Sequence, residues 1–232
     1  PYFWNIKHNF IVYLLLPLSL LTTIYIFFKK KITKTLKFKI PIICIGNIYV
    51  GGTGKTPLSI FLAKELLKLG KKAVILRKFY KSHKDEHELI KANVKDLIIN
   101  KNRVLGVMEA ERHNYDLLIM DDGFQDYKIK KNLNILCFNS SQLIGNGFVL
   151  PAGPLRESLQ AIKNAQMILI NGKKNNEFEK KILKINTRLN IFYSSYKAEN
   201  LNEFNGKKLL AISGIGNPEN FFDMLKRNNL KI

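Results

Sequence analysis

The chain has 232 residues, 46% of them hydrophobic, and carries 38 Lys and Arg against 18 Asp and Glu, a net charge of +20. This length and apolar content allow one sizeable α/β core, and the positive charge favours an anionic partner such as a membrane surface or a phosphorylated substrate. Cys44 and Cys137 lie in apolar runs without metal-ligand spacing, and no Arg-rich strip or nucleic-acid module is recognisable. These features argue against a disulfide framework, a zinc site and a nucleic-acid partner.

The first predicted element is an apolar helix near the N-terminus. Residues 10–28 contain no charge, and about 20 such residues are needed to cross a bilayer. Three lysines follow at 29–31, and this charge predicts that the next domain lies in the cytoplasm. Pro17 leaves open whether the segment spans the membrane or lies on its surface. A buried core helix is the alternative.

Short apolar runs then alternate with helical patterns, which predicts an α/β fold with a mainly parallel sheet flanked by helices. The predicted strands are 40–46, 73–77, 96–99, 116–120, 133–138 and 166–171. The predicted helices are 57–69, 85–92, 103–113, 157–164 and 176–184. A further strand at 209–213, a turn and a helix to about residue 228 follow. We therefore divide the chain into a membrane-associated helix with a basic linker (1–39), a P-loop core (40–172) and the start of a C-terminal lobe (173–232) that we expect to be incomplete.

A phosphate-binding loop is predicted between the first strand and the next helix. Its glycines let backbone N–H groups turn toward an anion, and the helix N-terminus adds a positive dipole. Lys55 is expected to face solvent in the empty loop and to reach the β- and γ-phosphates, and the Thr56 hydroxyl can ligate Mg²⁺. Tyr49 stands where the strict motif has Gly, so a Gly-rich turn is the alternative. The candidate nucleotide-binding residues are Gly51, Gly52, Thr53, Gly54, Lys55 and Thr56.

Acidic and basic side chains follow other strands. Asp121 and Asp122 end the predicted strand 116–120, where a carboxylate near a phosphate loop can hold Mg²⁺, and Gln125 is within reach of that point. Structural acids at strand ends are the alternative. In the rigid loop 150–157, Arg156 could clamp a phosphate, whereas Glu157 could simply begin a helix. The acidic segment 83–88 could supply a proton acceptor or be a solvated helix start.

Taken in order, these motifs resemble the tetraacyldisaccharide 4′-kinase family. The matching segments are the apolar helix and basic linker, the phosphate loop at 46–57, Asp85 with Glu86, and the segments 121–125, 145–157 and 214–222. The chain departs from the family after Arg77, where Lys-Phe-Tyr follows and the segment before Asp85 is shorter. The resemblance covers nearly the whole chain.

The resemblance implies a P-loop kinase that transfers the γ-phosphoryl group of ATP to the 4′-hydroxyl of a tetraacyl glucosamine disaccharide 1-phosphate in lipid A biosynthesis. It implies ATP and Mg²⁺ as cofactors and a location at the cytoplasmic face of the bacterial inner membrane, with anionic lipids and the acylated disaccharide as partners. No obligate protein partner is inferred. The implied catalytic residues are Asp85 as general base, Lys55 and Arg156. The implied metal-site residues are Thr56, Glu86, Asp121, Asp122, Gln125 and Glu157.

Two other functions remain open from the residues alone. A membrane-associated P-loop ATPase or GTPase could act as a switch or positioning factor, although Val50 stands where partition ATPases carry Lys and no Asn-Lys-x-Asp motif is present. A membrane-anchored basic binding protein with a vestigial loop is the second alternative. The intact Lys55, Thr56 and Asp121 argue against it.

Overall fold

A parallel β-sheet forms the centre of the protein. The computed structural model describes residues 1–6, 8–81, 84–197, 201–204, 206–213 and 219–230. The described strands pair in the order β3-β2-β4-β1-β5-β6-β7, each parallel to its neighbours. They are β1 (Ile42–Gly46), β2 (Ala73–Lys78), β3 (Leu97–Asn100), β4 (Leu117–Asp121), β5 (Leu133–Asn139), β6 (Met167–Asn171) and β7 (Asn190–Ser194). The six strands predicted for the core are confirmed to within two residues at each end.

The helices also follow the predicted alternation. They are α1 (Phe10–Ile32), α2 (Lys55–Lys68), α3 (Lys84–Asn93), α4 (Arg103–Arg112), α5 (Asn176–Leu183) and α6 (Glu219–Arg227), with short 3-10 helices at Tyr2–Asn5, Leu159–Asn164 and Leu201–Phe204. The segment predicted as a helix at 157–164 is thus the second of these 3-10 helices.

Both faces of the sheet are buried, which explains why its strands read as continuous apolar runs. Along β1, Ile42 and Cys44 pack on one face, whereas Ile43 and Ile45 pack on the other against α2 and α3. The carboxyl ends of β1 and β4 are adjacent because these strands pair in the middle of the sheet. The phosphate loop and the acidic strand end therefore meet, as predicted.

The helix α1 is one continuous helix of 23 residues, or about 34 Å, that runs through Pro17. Its length and composition suffice to cross a membrane, and only 11% of its most apolar window is buried. Ser19 is the polar exception, because its hydroxyl donates to the Val149 carbonyl at 2.8 Å and accepts from the Ala152 amide at 2.9 Å. One face of α1 thus docks on the loop before Arg156, while the rest is exposed, unlike a core helix.

The region after β6 differs from the prediction in two ways. The strand β7 was not predicted, because its short apolar run lies in a Lys/Asn-rich segment, and it carries the sheet past the predicted domain boundary at 172. Residues 209–213, predicted as a strand, have no regular secondary structure. The predicted turn at 214–218 lies outside the described residues, and the helix after it is α6.

Candidate active site

The phosphate loop joins the end of β1 to the start of α2. Gly54, which precedes α2, adopts the left-handed conformation with φ of 85°, which a residue with a side chain rarely adopts. The buried side chain of Asn47 braces the loop, since its amide donates to Thr53 Oγ1 at 3.0 Å and to the Gly51 carbonyl at 3.3 Å. The amide of Val50 donates to the Pro154 carbonyl at 2.9 Å. The loop is therefore held open at a helix N-terminus, the arrangement that binds phosphate groups.

Lys55 is turned inward in this structure. Its side chain is only 13% exposed and its Nζ lies 3.7 Å from Asp122 Oδ1, so the expectation that its ammonium faces solvent is wrong. Burial lowers the pKa of Lys55, and the charge of Asp122 opposes that shift. An ammonium held in a partly dry loop interacts strongly with an incoming phosphate.

Asp122 is the anion at the centre of a cluster of cations. Its Oδ1 accepts a hydrogen bond from Arg156 Nη1 at 2.9 Å, and its main-chain oxygen accepts one from Arg103 Nη2 at 2.6 Å. Burial alone would raise the pKa of Asp122, but Lys55, Arg156 and Arg103 outweigh it and the pKa lies below the ordinary value of 3.8. The carboxylate is ionised and holds Lys55 and Arg156 beside the loop.

Asp121 and Thr56 form the part of the site best suited to Mg²⁺. Asp121 is fully buried, and its two carboxylate oxygens accept hydrogen bonds of 3.1 Å from the hydroxyls of Thr56 and Ser59. Protein sites for Mg²⁺ with a nucleotide use one or two carboxylates and complete the shell with phosphates and water. The donor set of Thr56 and Asp121 fits that requirement.

Arg77 completes this cluster and was not among the predicted site residues. It lies at the end of β2, opposite Asp121 in the strand register, and its guanidinium contacts both Asp121 and Glu86. Its Nη1 also donates to Thr56 Oγ1 at 3.0 Å. An arginine ending the predicted strand 73–77 was visible in the sequence, but its partners depend on the strand order, which the sequence did not predict.

The remaining predicted residues lie outside the cluster of Thr56, Asp121 and Arg77. Asp85 is exposed in the first turn of α3, next to Glu86. Gln125 donates to the Asn47 carbonyl at 2.9 Å, and Glu157 pairs with Lys30 of α1. The structure therefore joins Thr56, Glu86 and Asp121 through Arg77 and places Asp122 beside Lys55. Gln125 lines the same cleft as Asp122, whereas Glu157 is paired with the end of α1. In the described part of the chain, no group of three or more His, Cys, Asp or Glu side chains is arranged to hold a metal alone. Residue 83, the first of the predicted acidic segment 83–88, lies outside the described residues.

A cleft of about 690 Å³ connects the end of α1 to this site. Six cations and two anions line it, so the cleft is suited to a negatively charged ligand. The cationic lining residues are Lys29, Lys78, Lys101, Arg103, Lys128 and Arg156, and the anionic ones are Asp122 and Asp126.

Comparisons with known proteins agree with this architecture. The family model described as tetraacyldisaccharide-1-P 4′-kinase matches residues 11–232. The tetraacyldisaccharide 4′-kinase of Pelagibacter ubique (strain HTCC1062) is 40% identical over 236 residues, which cover 100% of this chain and 74% of that protein. The corresponding protein of Ruthia magnifica subsp. Calyptogena magnifica is 35% identical over 98% of this chain and 79% of its own length.

A solved structure shares the fold. The crystal structure of LpxK from Aquifex aeolicus in complex with ATP superposes with a TM-score of 0.70 at 25% identity. The match covers 96% of this chain and 80% of that one. Together with the phosphate loop and its acidic partner strand, these similarities favour a kinase over a nucleotide-dependent switch. The chain belongs to the tetraacyldisaccharide-1-P 4′-kinase family and is an ATP-dependent kinase.

Proposed function

We propose that this kinase transfers the γ-phosphoryl group of ATP to the 4′-hydroxyl of a tetraacyl glucosamine disaccharide 1-phosphate, a step of lipid A biosynthesis. The observation that carries the proposal is the cationic cleft, which runs from the last turn of an apolar helix to Arg156 and Asp122, the partner of Lys55 in the phosphate loop. A lipid acceptor keeps its acyl chains in the bilayer while its sugar must reach ATP. A cleft between a membrane helix and a nucleotide site meets both requirements.

In the proposed complex, the loop 51–56 holds the triphosphate of ATP and Thr56 with Asp121 holds Mg²⁺. The metal, when bound, neutralises charge on the phosphate oxygens. Lys55 exchanges its contact with Asp122 for one with the phosphates, because a phosphate carries more negative charge than one carboxylate. Arg156 lies on the cleft side of Asp122 and is assigned to the transferred group, which its planar guanidinium can contact through two nitrogens.

The proposed chemical step is an in-line displacement. The 4′-oxygen forms a bond to the γ-phosphorus, the bond between that phosphorus and the β,γ-bridging oxygen breaks, and ADP leaves. Asp85 is proposed to take the proton from the 4′-hydroxyl. Its exposure at the start of α3 supports this role, since a base for a bulky acceptor must be reachable from the cleft side.

We propose that residues 1–39 attach the protein to the cytoplasmic face of the inner membrane and that the kinase core runs from residue 40 to the end of β7, because β7 pairs with β6 in the central sheet. Exposed apolar side chains along α1 and exposed lysines at its end support the attachment, because anionic lipid attracts such a basic segment. The exposed lysines are Lys29 and Lys31 in the last turn of α1 and Lys34, Lys37 and Lys39 after it.

ATP consumption measured with and without the acceptor distinguishes this proposal from the switch. The protein in mixed micelles is given Mg²⁺ and ATP, and ADP is followed while the disaccharide lipid is varied. The proposal predicts that ADP formation requires the lipid and that little inorganic phosphate is released. Release of inorganic phosphate at a rate independent of the lipid would instead support an ATPase acting as a switch.

A further inference from the structure

Arg77 occupies the centre of the proposed magnesium site. Its side chain is 7% exposed, and it lies opposite Asp121 because β2 and β4 pair with these two residues in register. One nitrogen, Nη1, contacts both Asp121 Oδ2 and Thr56 Oγ1, while the other, Nη2, contacts Glu86 Oε2. The guanidinium therefore contacts the carboxylate and the hydroxyl that are proposed to bind the metal.

The charge of Asp121 explains why a cation is needed there. The carboxylate is fully buried, and the hydroxyls of Thr56 and Ser59 donate hydrogen bonds to it without neutralising it. A buried carboxylate without a counter-charge is strongly unfavourable. Without Mg²⁺, Arg77 provides that charge through Nη1, which makes a charge-assisted hydrogen bond to Asp121 Oδ2.

We infer that Arg77 is the resident cation of the magnesium site and that it exchanges with Mg²⁺ when the nucleotide binds. Mg²⁺ held by Asp121 and Thr56 would compete with Arg77, because Nη1 already contacts Asp121 Oδ2 and Thr56 Oγ1. The bond to Glu86 uses the other nitrogen of the guanidinium, so Arg77 can remain tethered to α3 after it leaves Asp121. Arg77 is thus a positioning residue that keeps the metal ligands assembled and competes with the metal for them. The inference rests on the proposed use of Mg²⁺ with ATP.

The variant Arg77→Met tests this exchange, because it keeps an apolar stem and removes the guanidinium. Two quantities are measured: the melting temperature with EDTA or with Mg²⁺ in the absence of nucleotide, and the Mg²⁺ concentration that half-saturates ATP binding in calorimetry. We expect Arg77→Met to melt at lower temperature than wild type in EDTA and to be stabilised by Mg²⁺ alone. We expect the half-saturating Mg²⁺ concentration to fall about tenfold, the effect of removing one charge-assisted hydrogen bond.

Arg77→Lys covers the case in which the methionine variant does not fold. An ammonium cannot span Asp121 and Glu86 as the guanidinium fork does, so its competition with Mg²⁺ is weaker. A smaller fall in half-saturating Mg²⁺ is expected. Arg103→Met is the matched control, since the Arg103 side chain is similarly shielded, at 9% exposed, but contacts the Asp122 main chain and Asp126. Its half-saturating Mg²⁺ should change much less.

An unchanged or increased Mg²⁺ requirement in the Arg77 variants would overturn the inference, since it would mean that Arg77 supports the metal or is indifferent to it. An equal fall in Arg103→Met would also overturn it, because the effect would then reflect general loss of positive charge. Failure of the wild-type protein to form ADP in response to the lipid when Mg²⁺ is present would instead contradict the proposed function itself. These outcomes separate a failure of the exchange between Arg77 and Mg²⁺ from a failure of the proposed phosphate transfer.

Discussion

Lys30 in the last turn of α1 forms an ion pair with Glu157, whose side chain is 1% exposed. The ammonium of Lys30 also lies 5.1 Å from the centre of the Tyr127 ring. The pKa of Tyr127 is raised, first by burial and then by the charge and hydrogen bond of Glu157. Because Glu157 follows Arg156 directly, this contact ties the apolar helix to the residue that we propose contacts the transferred phosphate.

We expect Lys30→Met to destabilise the protein by about 1–3 kcal/mol, because it leaves a buried carboxylate with its charge uncompensated. Urea unfolding of the protein in detergent measures this change. Lys31→Met is the control, since Lys31 is the exposed neighbour of Lys30. Adding Glu157→Gln to Lys30→Met should restore much of the stability. If both single lysine variants unfold alike, the ion pair contributes nothing to the fold.

Asp85→Asn should lower turnover by about 10²–10⁴-fold and leave ATP binding unchanged, because an amide cannot accept the 4′-hydroxyl proton. Steady-state kinetics and calorimetry separate these two effects. Glu88→Gln is the matched control, an exposed acid on the same helix. Asp121→Asn should instead raise the Mg²⁺ requirement, since it removes a charge from the metal site. Near-normal turnover of Asp85→Asn, or its rescue by high Mg²⁺, would show that Asp85 is not the base.

The sequence predicted the parts of the site that depend on local patterns, but not those that depend on contacts between distant segments. The phosphate loop and Asp121 were predictable because each lies within a local strand-to-helix or strand-end pattern, and parallel strands bring their ends together. Arg77 was missed because its contact with Asp121 requires β2 and β4 to be neighbours in the sheet, although α3, β3 and α4 separate them in sequence. Strand order is a property of tertiary packing that residue patterns do not encode directly.

Glu157 is a second residue whose environment depends on a contact between distant segments. Its place in a motif implied a role at the metal site, but the docking of α1 through Ser19 puts Lys30 against it. The strand β7 was missed since its apolar run is short and its exposed edge gives little hydrophobic pattern. In each case a contact between distant segments decided the environment of the residue.

The lowered pKa of Asp122 predicts that the free energy of unfolding depends on pH. Its folded-state pKa is below 3.8, so the carboxylate stabilises the folded protein above pH 3.8. That contribution is lost as the pH falls through the lower folded-state value. Unfolding free energies measured in urea should therefore differ between wild type and Asp122→Asn by a constant amount above about pH 5, and the difference should shrink below about pH 4. Glu65→Gln, at an exposed position, serves as the control. A difference that grows on acidification would contradict the sign of the shift.

The exposed face of α1 should determine membrane attachment. Leu14 and Leu21 are 67% and 62% exposed, and replacing both by Lys places two charges where acyl chains are expected. We expect the double variant to lose sedimentation with vesicles of anionic lipid at high salt. Ser19→Ala alters the docked face instead and should still sediment. Full sedimentation of the double Lys variant would argue against attachment through this face.

Following the γ-phosphate of ATP is the most direct test of the proposed transfer to the 4′-oxygen of the lipid. The protein is incubated in mixed micelles with Mg²⁺, the tetraacyl disaccharide 1-phosphate, and ATP that is labelled at the γ-phosphate. The lipid product is then isolated, and the positions of its phosphates are determined by NMR. We expect one labelled phosphate monoester on the 4′-oxygen, formed in proportion to ADP, and none with Lys55→Ala. Label that remains in inorganic phosphate, or that enters the lipid at another position, would contradict it.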